Sequence, residues 1–187
     1  MRYSQDHKAQ TYQRILREAS ARFRRDGIAA TGLQPLMKAL GLTHGGFYAH
    51  FASKQALVET VLREATAEMD NVVAEAAANP TPLEALIDRY LSEGHRDHPE
   101  RGCPFPTLAA ELGQRGEPSE IVDNAIESRL ALIGKLLAGE DAQARATVLW
   151  ASMVGALTLA RSVKDPALST RILEDTRRSL KASFTPA

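Results

Sequence analysis

The sequence has little of several features that would point to particular classes of protein. Its single cysteine excludes an internal disulfide bridge. No run of eighteen apolar residues is present and the first eight residues are polar, so neither a membrane-spanning helix nor a signal peptide is predicted. Aromatic residues make up only 5% of the 187 residues, yet 44% are hydrophobic, which suffices for a sizeable core. We therefore expect a soluble, cytoplasmic protein of one or two compact domains.

Signatures of catalysis are also missing from the sequence. No paired carboxylates, no nucleophile beside a base and no glycine-rich phosphate loop after a strand pattern can be recognised. His95, His98 and Cys103 lie near one another in the chain, but their spacing is not a standard zinc pattern. We therefore expect no enzyme, with no catalytic residues, no metal and no cofactor.

The formal net charge of zero conceals a segregation of charge along the chain. Residues 1–54 hold nine Lys or Arg against three Asp or Glu, a surplus of six positive charges, and the remainder carries the matching negative surplus. A basic region of this kind favours a polyanionic partner at the amino-terminal end.

The stretch from Thr31 to Lys54 predicts two short helices joined by a tight turn. Apolar residues repeat at helical spacing in its first half: Leu33, Leu36, Met37 and Leu40. Gly41 can end that helix in the left-handed conformation, and Thr43 can cap the next one. Phe47 and Phe51, four residues apart, would bury against the first helix. Two helices joined in this way are the geometry that places a recognition helix in a major groove.

This stretch resembles the TetR family of bacterial repressors. The resemblance rests on Gly41-Leu42-Thr43, Gly45-Gly46-Phe47-Tyr48, His50-Phe51 and Ser53-Lys54, preceded by a basic amphipathic helix over 7–26, and it covers roughly residues 8 to 62. It implies an all-α fold of about nine helices. In that fold an N-terminal three-helix DNA-binding domain (1–54) precedes a ligand-binding and dimerisation domain (55–187), and the helix over 55–78 connects the two.

The resemblance also implies how DNA is held. Tyr48, His50 and Lys54 would contact phosphate, and Thr31 and Thr43 would assist from helix starts. Gln34 and His44 would reach base edges. Gly45 and Gly46 depart from commoner family members, which carry a side chain at one or both positions. They weaken the recognition helix, but they allow its backbone to approach the groove closely.

Further helices are predicted over 83–91, 107–113, 118–137, 141–164 and 166–182, with a breaker-rich link over 94–106. The last two offer more apolar surface than one small domain can cover, so we expect a homodimer through helices 141–164 and 166–182. The alternative is that helix 141–164 is simply the central core helix of a monomer. The apolar residues behind this prediction are Leu149, Trp150, Met153, Val154, Gly155, Leu157 and Thr158, and then Leu168, Ile172, Leu173 and Leu180.

The resemblance places an effector pocket in the second domain. Its candidate wall consists of Leu62, Met69, Tyr90, Cys103, Phe105, Leu108 and Trp150. Few charged residues fall on these faces, which favours an apolar or weakly polar small molecule. Cys103 precedes a helix and follows Arg101, both of which could lower the pKa of its thiol. The segment is similar to a Gly-Cys in some electrophile- or oxidant-responsive repressors of the family.

The sequence therefore predicts a ligand-responsive repressor. As a homodimer it would bind a palindromic operator of double-stranded DNA, and a small apolar or electrophilic inducer would release it by moving the fourth helix. One alternative is a helical binding or scaffolding protein with a vestigial helix-turn-helix. Another is a small helical thiol enzyme, whose turnover would depend on Cys103.

Overall fold

The computed structural model describes the backbone of residues 2–184 and the side chains of residues 6–184. Within this range the chain forms ten α-helices and no strand. The helices are α1 (Arg2–Asp26), α2 (Leu33–Ala39), α3 (His44–Phe47), α4 (Lys54–Ala77), α5 (Pro82–Tyr90), α6 (Glu93–Asp97), α7 (Ala110–Gln114), α8 (Glu120–Gly134), α9 (Ala142–Ser162) and α10 (Pro166–Phe184). The prediction of an all-α fold is confirmed.

Local capping signals set many of the helix ends. The hydroxyl groups of Thr43, Ser53, Ser92 and Ser119 accept backbone N–H groups at the starts of α3, α4, α6 and α8. Glycines follow the ends of other helices, as Gly27 does after α1, where φ is +90°. Only glycine adopts this conformation at little cost, so the chain turns there.

The apolar side chains form two core clusters, which share the long helix α4. The first cluster packs residues of α1, α2 and α3 against the first half of α4, with Leu57, Val58, Val61 and Leu62 inside. The second begins at Met69 and packs the far half of α4 against α5, α8, α9 and α10. One helix, α4, therefore contributes to both clusters.

The connecting segment over residues 93–114 differs from the prediction. The sequence predicts a breaker-rich link followed by a short helix. The structure instead has the additional helix α6, a 3₁₀ turn at Pro99–Arg101 and a π-helical turn at Phe105–Ala109 that runs directly into α7. Ser92 caps α6, so one turn of helix forms despite Gly94.

No helix among residues 2–184 is both long enough and apolar enough to cross a membrane.

Candidate nucleic-acid interface and effector site

The turn between α2 and α3 has the geometry that its residues predict. Gly41 has φ of +71°, and the N–H of Leu42 donates to the carbonyl of Met37 at 2.9 Å. Thr43 then caps α3, because its Oγ1 accepts the N–H of Gly46 at 3.2 Å. The predicted roles of Gly41 and Thr43 in the turn are confirmed.

Phenylalanine side chains anchor α3 on the rest of the first cluster. Phe47 and Phe51 are buried, with ring centroids 5.6 Å apart. Phe51 also stacks on Tyr12 of α1 at 4.8 Å. Since α3 is only four residues long, these contacts hold it in place where its own hydrogen bonds could not.

The opposite side of α2 and α3 faces outward and carries most of the predicted contact residues. Gln34, Thr43, His44 and Gly45 are exposed. Tyr48 is 58% exposed, a large value for an aromatic residue, and its ring meets that of His44 edge-on at 5.8 Å. Exposed basic side chains lie in the same domain: Lys8, Arg17 and Lys38. This surface presents donors that suit phosphate and base edges.

Thr31 is placed differently from the prediction. It is buried, and its Oγ1 donates to the carbonyl of Gly27 at 2.8 Å. Gly32 occupies the N-cap position of α2, with no side-chain cap. Thr31 therefore does not cap the second helix, because its hydroxyl group is bound to the carbonyl group of Gly27, the residue after α1.

Lys54 and His50 are partly withdrawn from the outer surface. The Nζ of Lys54 donates to the carbonyl of Ile28 at 2.5 Å, and burial lowers the pKa of this ammonium group. Two of its N–H bonds remain for another acceptor. Burial also lowers the pKa of His50, helped by the charges of Lys8 and His7.

A carboxylate from α7 joins the second part of the chain to the first. The two oxygens of Glu111 accept the N–H groups of Ile28 and Ala29, at 2.6 and 2.8 Å. A Cβ at Gly27 would lie 2.7 Å from the same carboxylate and would displace it, in addition to the strain of a side chain at φ of +90°. We call this contact the α7 clasp. Both of its bonds join residues more than eighty positions apart.

Arg24 makes a second connection nearby. Its buried guanidinium donates to the carbonyl of Gly102 at 3.1 Å and pairs with Glu68 on α4. The residue next to Cys103 is thus bonded to the end of α1. The segment from Pro99 to Gln114 contacts the DNA-binding unit at both of its ends.

Five of the seven predicted effector residues come together in the second cluster. These are Met69, Tyr90, Cys103, Phe105 and Trp150. The Trp150 ring is met edge-on by those of Tyr90 at 5.2 Å and Phe105 at 5.8 Å. Leu62 and Leu108 instead belong to the first cluster. The second half of α4 packs in the second cluster and its first half in the first. The helical spacing of apolar residues predicts that both halves are buried, but not in which cluster.

Arg129 is a residue of this region that sequence reasoning missed. It lies on α8 and is 1% exposed, with its guanidinium carbon 5.3 Å from the centroid of the Trp150 ring. It pairs with Asp70 of α4 at 2.7 Å. A signal was present in the sequence, because Arg129 interrupts the apolar stripe that runs through Ala125 and Ile133.

Cys103 lies in a different electrostatic environment from the one predicted. Burial raises the pKa of its thiol, while the side chain of Arg101 is 81% exposed. The prediction of a lowered pKa is therefore wrong, since burial outweighs the neighbouring charges. His95, beside Cys103, is partly buried. Its Nε2 accepts the N–H of Cys103 at 2.9 Å, and its Nδ1 lies 2.7 Å from the carbonyl of Tyr90. A donor at Nε2 is thereby excluded, so the proton resides on Nδ1.

Helix α9 has an exposed row of small and apolar residues. Val148 and Leu159 are each 57% exposed, and Ala151 and Gly155 lie between them at helical spacing. Most of the residues from which the sequence predicts the dimer face are instead buried in their own domain: Leu149, Trp150, Met153, Leu157, Leu173 and Leu180. Because α9 is apolar on nearly every side, its sequence does not show which side packs against its own domain and which is free for a second subunit.

Comparison with known proteins bears on the first part of the chain most directly. A family model described as "Bacterial regulatory proteins, tetR family" matches residues 15–61. The chain is also 33% identical over 92 residues to the uncharacterized HTH-type transcriptional regulator YerO of Bacillus subtilis (strain 168). That match covers 46% of this chain and about a third (32%) of the length of YerO.

Solved structures with the same fold match nearly the whole chain. E. coli NemR in its reduced form is similar with a TM-score of 0.77 and 22% identity, over 95% of this chain and 99% of NemR. A TetR-family regulator from Agrobacterium tumefaciens gives a TM-score of 0.80 at 20% identity, over 96% and 100% of the two chains. SCO4454 from Streptomyces coelicolor gives 0.77 at 22%, over 96% and 97%. At these identities the likeness establishes the fold.

Proposed function

We propose that the chain belongs to the TetR family of bacterial regulatory proteins, whose family model matches residues 15–61, and that it is a transcriptional repressor which binds a palindromic operator as a homodimer. A small molecule in its second domain would release it from the DNA. The observation that carries this proposal is the outward face of α2 and α3, with Gln34, His44 and Tyr48 exposed on a rigidly anchored helix pair.

Contacts to phosphate and to bases divide among these residues. Tyr48, His50 and Lys54 would hold the sugar-phosphate backbone, with Thr43 assisting from the start of α3. Gln34 and His44 would reach base edges. Thr31 would act indirectly, because its bond to Gly27 fixes the approach to α2. Phosphate contacts set the register of the protein on the duplex, and base contacts set the preferred sequence.

The bond of Lys54 to Ile28 gives this residue two roles. It would position the turn after α1, and its remaining N–H groups would contact phosphate. Loss of Lys54 should therefore weaken binding to all sequences alike.

Fluorescence anisotropy with a labelled fragment of the DNA upstream of the protein's own gene tests the proposal. We expect tight binding that weakens steeply with salt, a slope about one unit flatter for Lys54→Ala, and relaxed base preference for His44→Ala. Arg178→Ala is a matched control, because Arg178 lies exposed on α10. Salt-independent binding, or equal effects of Lys54→Ala and Arg178→Ala, would favour a scaffolding protein instead.

The dimer would form through α9 and α10, with the exposed row of α9 at its centre. Val148, Ala151, Gly155 and Leu159 form an apolar strip that lies outside the core of the subunit. A Cβ at Gly155 would meet nothing within 4 Å. This strip supports close approach of a second helix. Two recognition helices one helical turn apart on DNA would be about 34 to 36 Å apart.

Release by a ligand would proceed through α4 and the connecting segment. A molecule beside Trp150 would displace the far half of α4 and the residues around Cys103. The bond of Arg24 to Gly102 and the α7 clasp support transmission of that displacement to the turn before α2. Because the Cys103 thiol is buried with a raised pKa, we propose non-covalent binding of the inducer rather than attack on an electrophile. Equal release from the wild type and from Cys103→Ser would support this choice.

A further inference from the structure

Two buried polar groups beside Trp150 lack a strong hydrogen-bond partner. Arg129 donates through Nη1 to the carbonyl of Met69 at 2.5 Å and pairs through Nη2 with Asp70 at 2.7 Å. Its Nε has no hydrogen-bond partner among the described residues, and the hydroxyl group of Tyr90 has only the neighbouring thiol of Cys103, a weak partner. The two residues are 1% and 2% exposed. A buried donor without a strong acceptor is unfavourable, so a site with two of them is suited to a molecule that supplies acceptors.

The two groups converge on one aromatic ring. The guanidinium carbon of Arg129 lies 5.3 Å from the Trp150 centroid, and the Tyr90 ring lies 5.2 Å from it. Arg129 and Tyr90 are also close enough to influence each other's pKa. One small polar group could therefore meet both donors while its apolar body rests on Trp150.

The chemistry of the donors selects the acceptor. An arginine can only donate, and burial raises the pKa of Tyr90 so that its hydroxyl group keeps its proton. Arg161 adds a second positive charge that acts on Tyr90. The carboxylates that balance these cations lie toward the surface, with Asp70 32% exposed and Asp97 on the outside of α6. A carboxylate is the acceptor that suits a guanidinium edge best.

Space for such a molecule lies beside Tyr90. Tyr90 lines a cavity of about 270 Å³ together with Met69, Val72, His95 and Gly102. That volume is slightly below the range of roughly 300–1,000 Å³ found for ordinary ligand sites, which favours a molecule with a single ring. Trp150 lies behind this lining, with its ring 5.2 Å from that of Tyr90, and is reached from the cavity past the Tyr90 side chain.

We propose that the effector is a small aromatic carboxylate, whose acid group accepts hydrogen bonds from Arg129 Nε and Tyr90 Oη while its ring lies against Trp150. This inference rests on the proposed function, because it names the ligand of the same regulatory domain. The proposal differs from the expectation from sequence, which was an apolar or weakly polar molecule. The proposed effector carries in addition an acid group that the buried Arg129 would bind.

Trp150 provides a direct measurement of binding, because it is the single tryptophan of the chain. The full-length protein is titrated with benzoate and phenylacetate, and in parallel with their neutral analogues benzamide and phenylacetamide. We expect a saturable change in tryptophan emission with at least one acid. Its amide should bind about tenfold more weakly or worse, because it cannot form a charge-assisted pair with Arg129.

Three variants locate the acid group. Arg129→Gln should weaken binding of the acid about tenfold or more and reduce the preference for acid over amide. Arg145→Gln is the matched control, because Arg145 also lies over an aromatic ring, that of Phe184 at 5.3 Å, beside a different cavity. Tyr90→Phe should weaken binding about fivefold. Since it removes a hydroxyl group whose polar neighbour is only the weakly bonding Cys103 thiol, its melting temperature should stay close to that of the wild type. This variant keeps the test decisive if Arg129→Gln does not fold.

The outcomes separate this inference from the proposed function. Equal binding of acid and amide, absence of a saturable change with both acids, or loss of binding in Arg145→Gln but not in Tyr90→Phe would overturn the carboxylate site. If an acid binds as expected but does not release operator DNA in the anisotropy assay, the ligand class stands and the proposed induction fails. If the protein does not bind operator DNA at all, the fluorescence titration still decides the ligand class.

Discussion

At Gly45 we expect opposite effects of substitution on the free energy of unfolding and on operator affinity. This residue lies exposed in α3, and a Cβ placed there would meet nothing within 4 Å. We expect Gly45→Ala to stabilise the protein by up to about 1 kcal/mol, because alanine is the better helix former. If the backbone of α3 approaches the groove closely, the same change should weaken operator binding. Urea unfolding and fluorescence anisotropy measure the two effects.

A second glycine provides the control for this prediction. Gly113 in α7 is also exposed with open space around it, and it is far along the chain from the recognition helix. Gly113→Ala should stabilise the protein without altering operator affinity. An unchanged affinity in Gly45→Ala as well would show that the backbone at Gly45 lies away from the DNA.

His95 makes the stability of the protein depend on pH. Burial lowers its pKa from 6.5 to about 4. In the unfolded chain it takes up a proton near pH 6.5, whereas in the folded protein it remains neutral, so the free energy of unfolding falls as the pH drops from about 6.5 to about 4. The loss should be roughly 2–3 kcal/mol. His50, whose pKa is also lowered, contributes with the same sign.

Comparison of two histidine variants measures this contribution. Urea unfolding at pH 7 and pH 5 should show a smaller pH dependence for His95→Gln than for the wild type. His98→Gln should behave as the wild type does, because the side chain of His98 is 58% exposed. A pH dependence that is the same in all three proteins would contradict the assignment to His95.

At the scale of the elements, the α7 clasp connects the two halves of the chain through one carboxylate. Glu111→Gln removes the negative charge and points an amide N–H₂ at one of two backbone donors. We expect a loss of about 1–3 kcal/mol in the free energy of unfolding. The concentration of ligand needed to release the operator should also change, because the turn before α2 is no longer held by α7.

Glu117→Gln is the control for the clasp. Glu117 lies in the same region but is exposed and pairs with Arg115 at 3.0 Å, a surface contact that contributes little. Thermal unfolding and ligand-dependent anisotropy should leave this variant close to the wild type. If the two variants respond to ligand alike, the clasp does not couple the domains.

The elements also show which parts of the structure the sequence could predict. The bounds of α2 and α3 follow from local signals, since Gly41 and Thr43 act on residues within four positions of themselves. The segment around α6 could not be predicted in the same way. Its geometry depends on distant partners, as in the bond between Arg24 and Gly102, 78 positions apart.

The candidate effector site was predictable only in part for a similar reason. Apolar periodicity predicts that Tyr90, Phe105 and Trp150 are buried, but it does not say which helix faces which. The role of Arg129 depends on Asp70 and on the carbonyl of Met69, and both come from another helix. The sequence shows a charge inside an apolar stripe, but not the group that compensates it.

For the whole molecule, the strip on α9 makes a prediction about assembly. Light scattering at micromolar concentration should report about twice the 20.3 kDa of one chain. Leu159→Glu should give a monomer, because it places a charge in the centre of an apolar interface. The monomer should keep its helical content, since Leu159 is 57% exposed in the single subunit.

The control for assembly places the same charge elsewhere in the domain. Asn124 is exposed on α8, a different helix from the one that carries the strip. Asn124→Glu should remain dimeric and should bind the operator with wild-type affinity. A monomeric wild type would contradict both the dimer and the palindromic mode of binding.

The first core cluster has a consequence for the construction of chimeric regulators. Leu108 and Leu112, from the connecting segment, are buried in that cluster among residues of α1 to α4. A DNA-binding module cut out after α4 would leave this apolar surface uncovered and the amides of Ile28 and Ala29 without their carboxylate. A chimera that exchanges operator specificity between relatives must therefore include residues 105–114 together with the amino-terminal helices. Otherwise both sides of the contact between these residues and the first cluster must be redesigned. The DNA-binding unit of this protein is therefore not a separable module, because part of its core comes from residues about thirty positions after the end of α4.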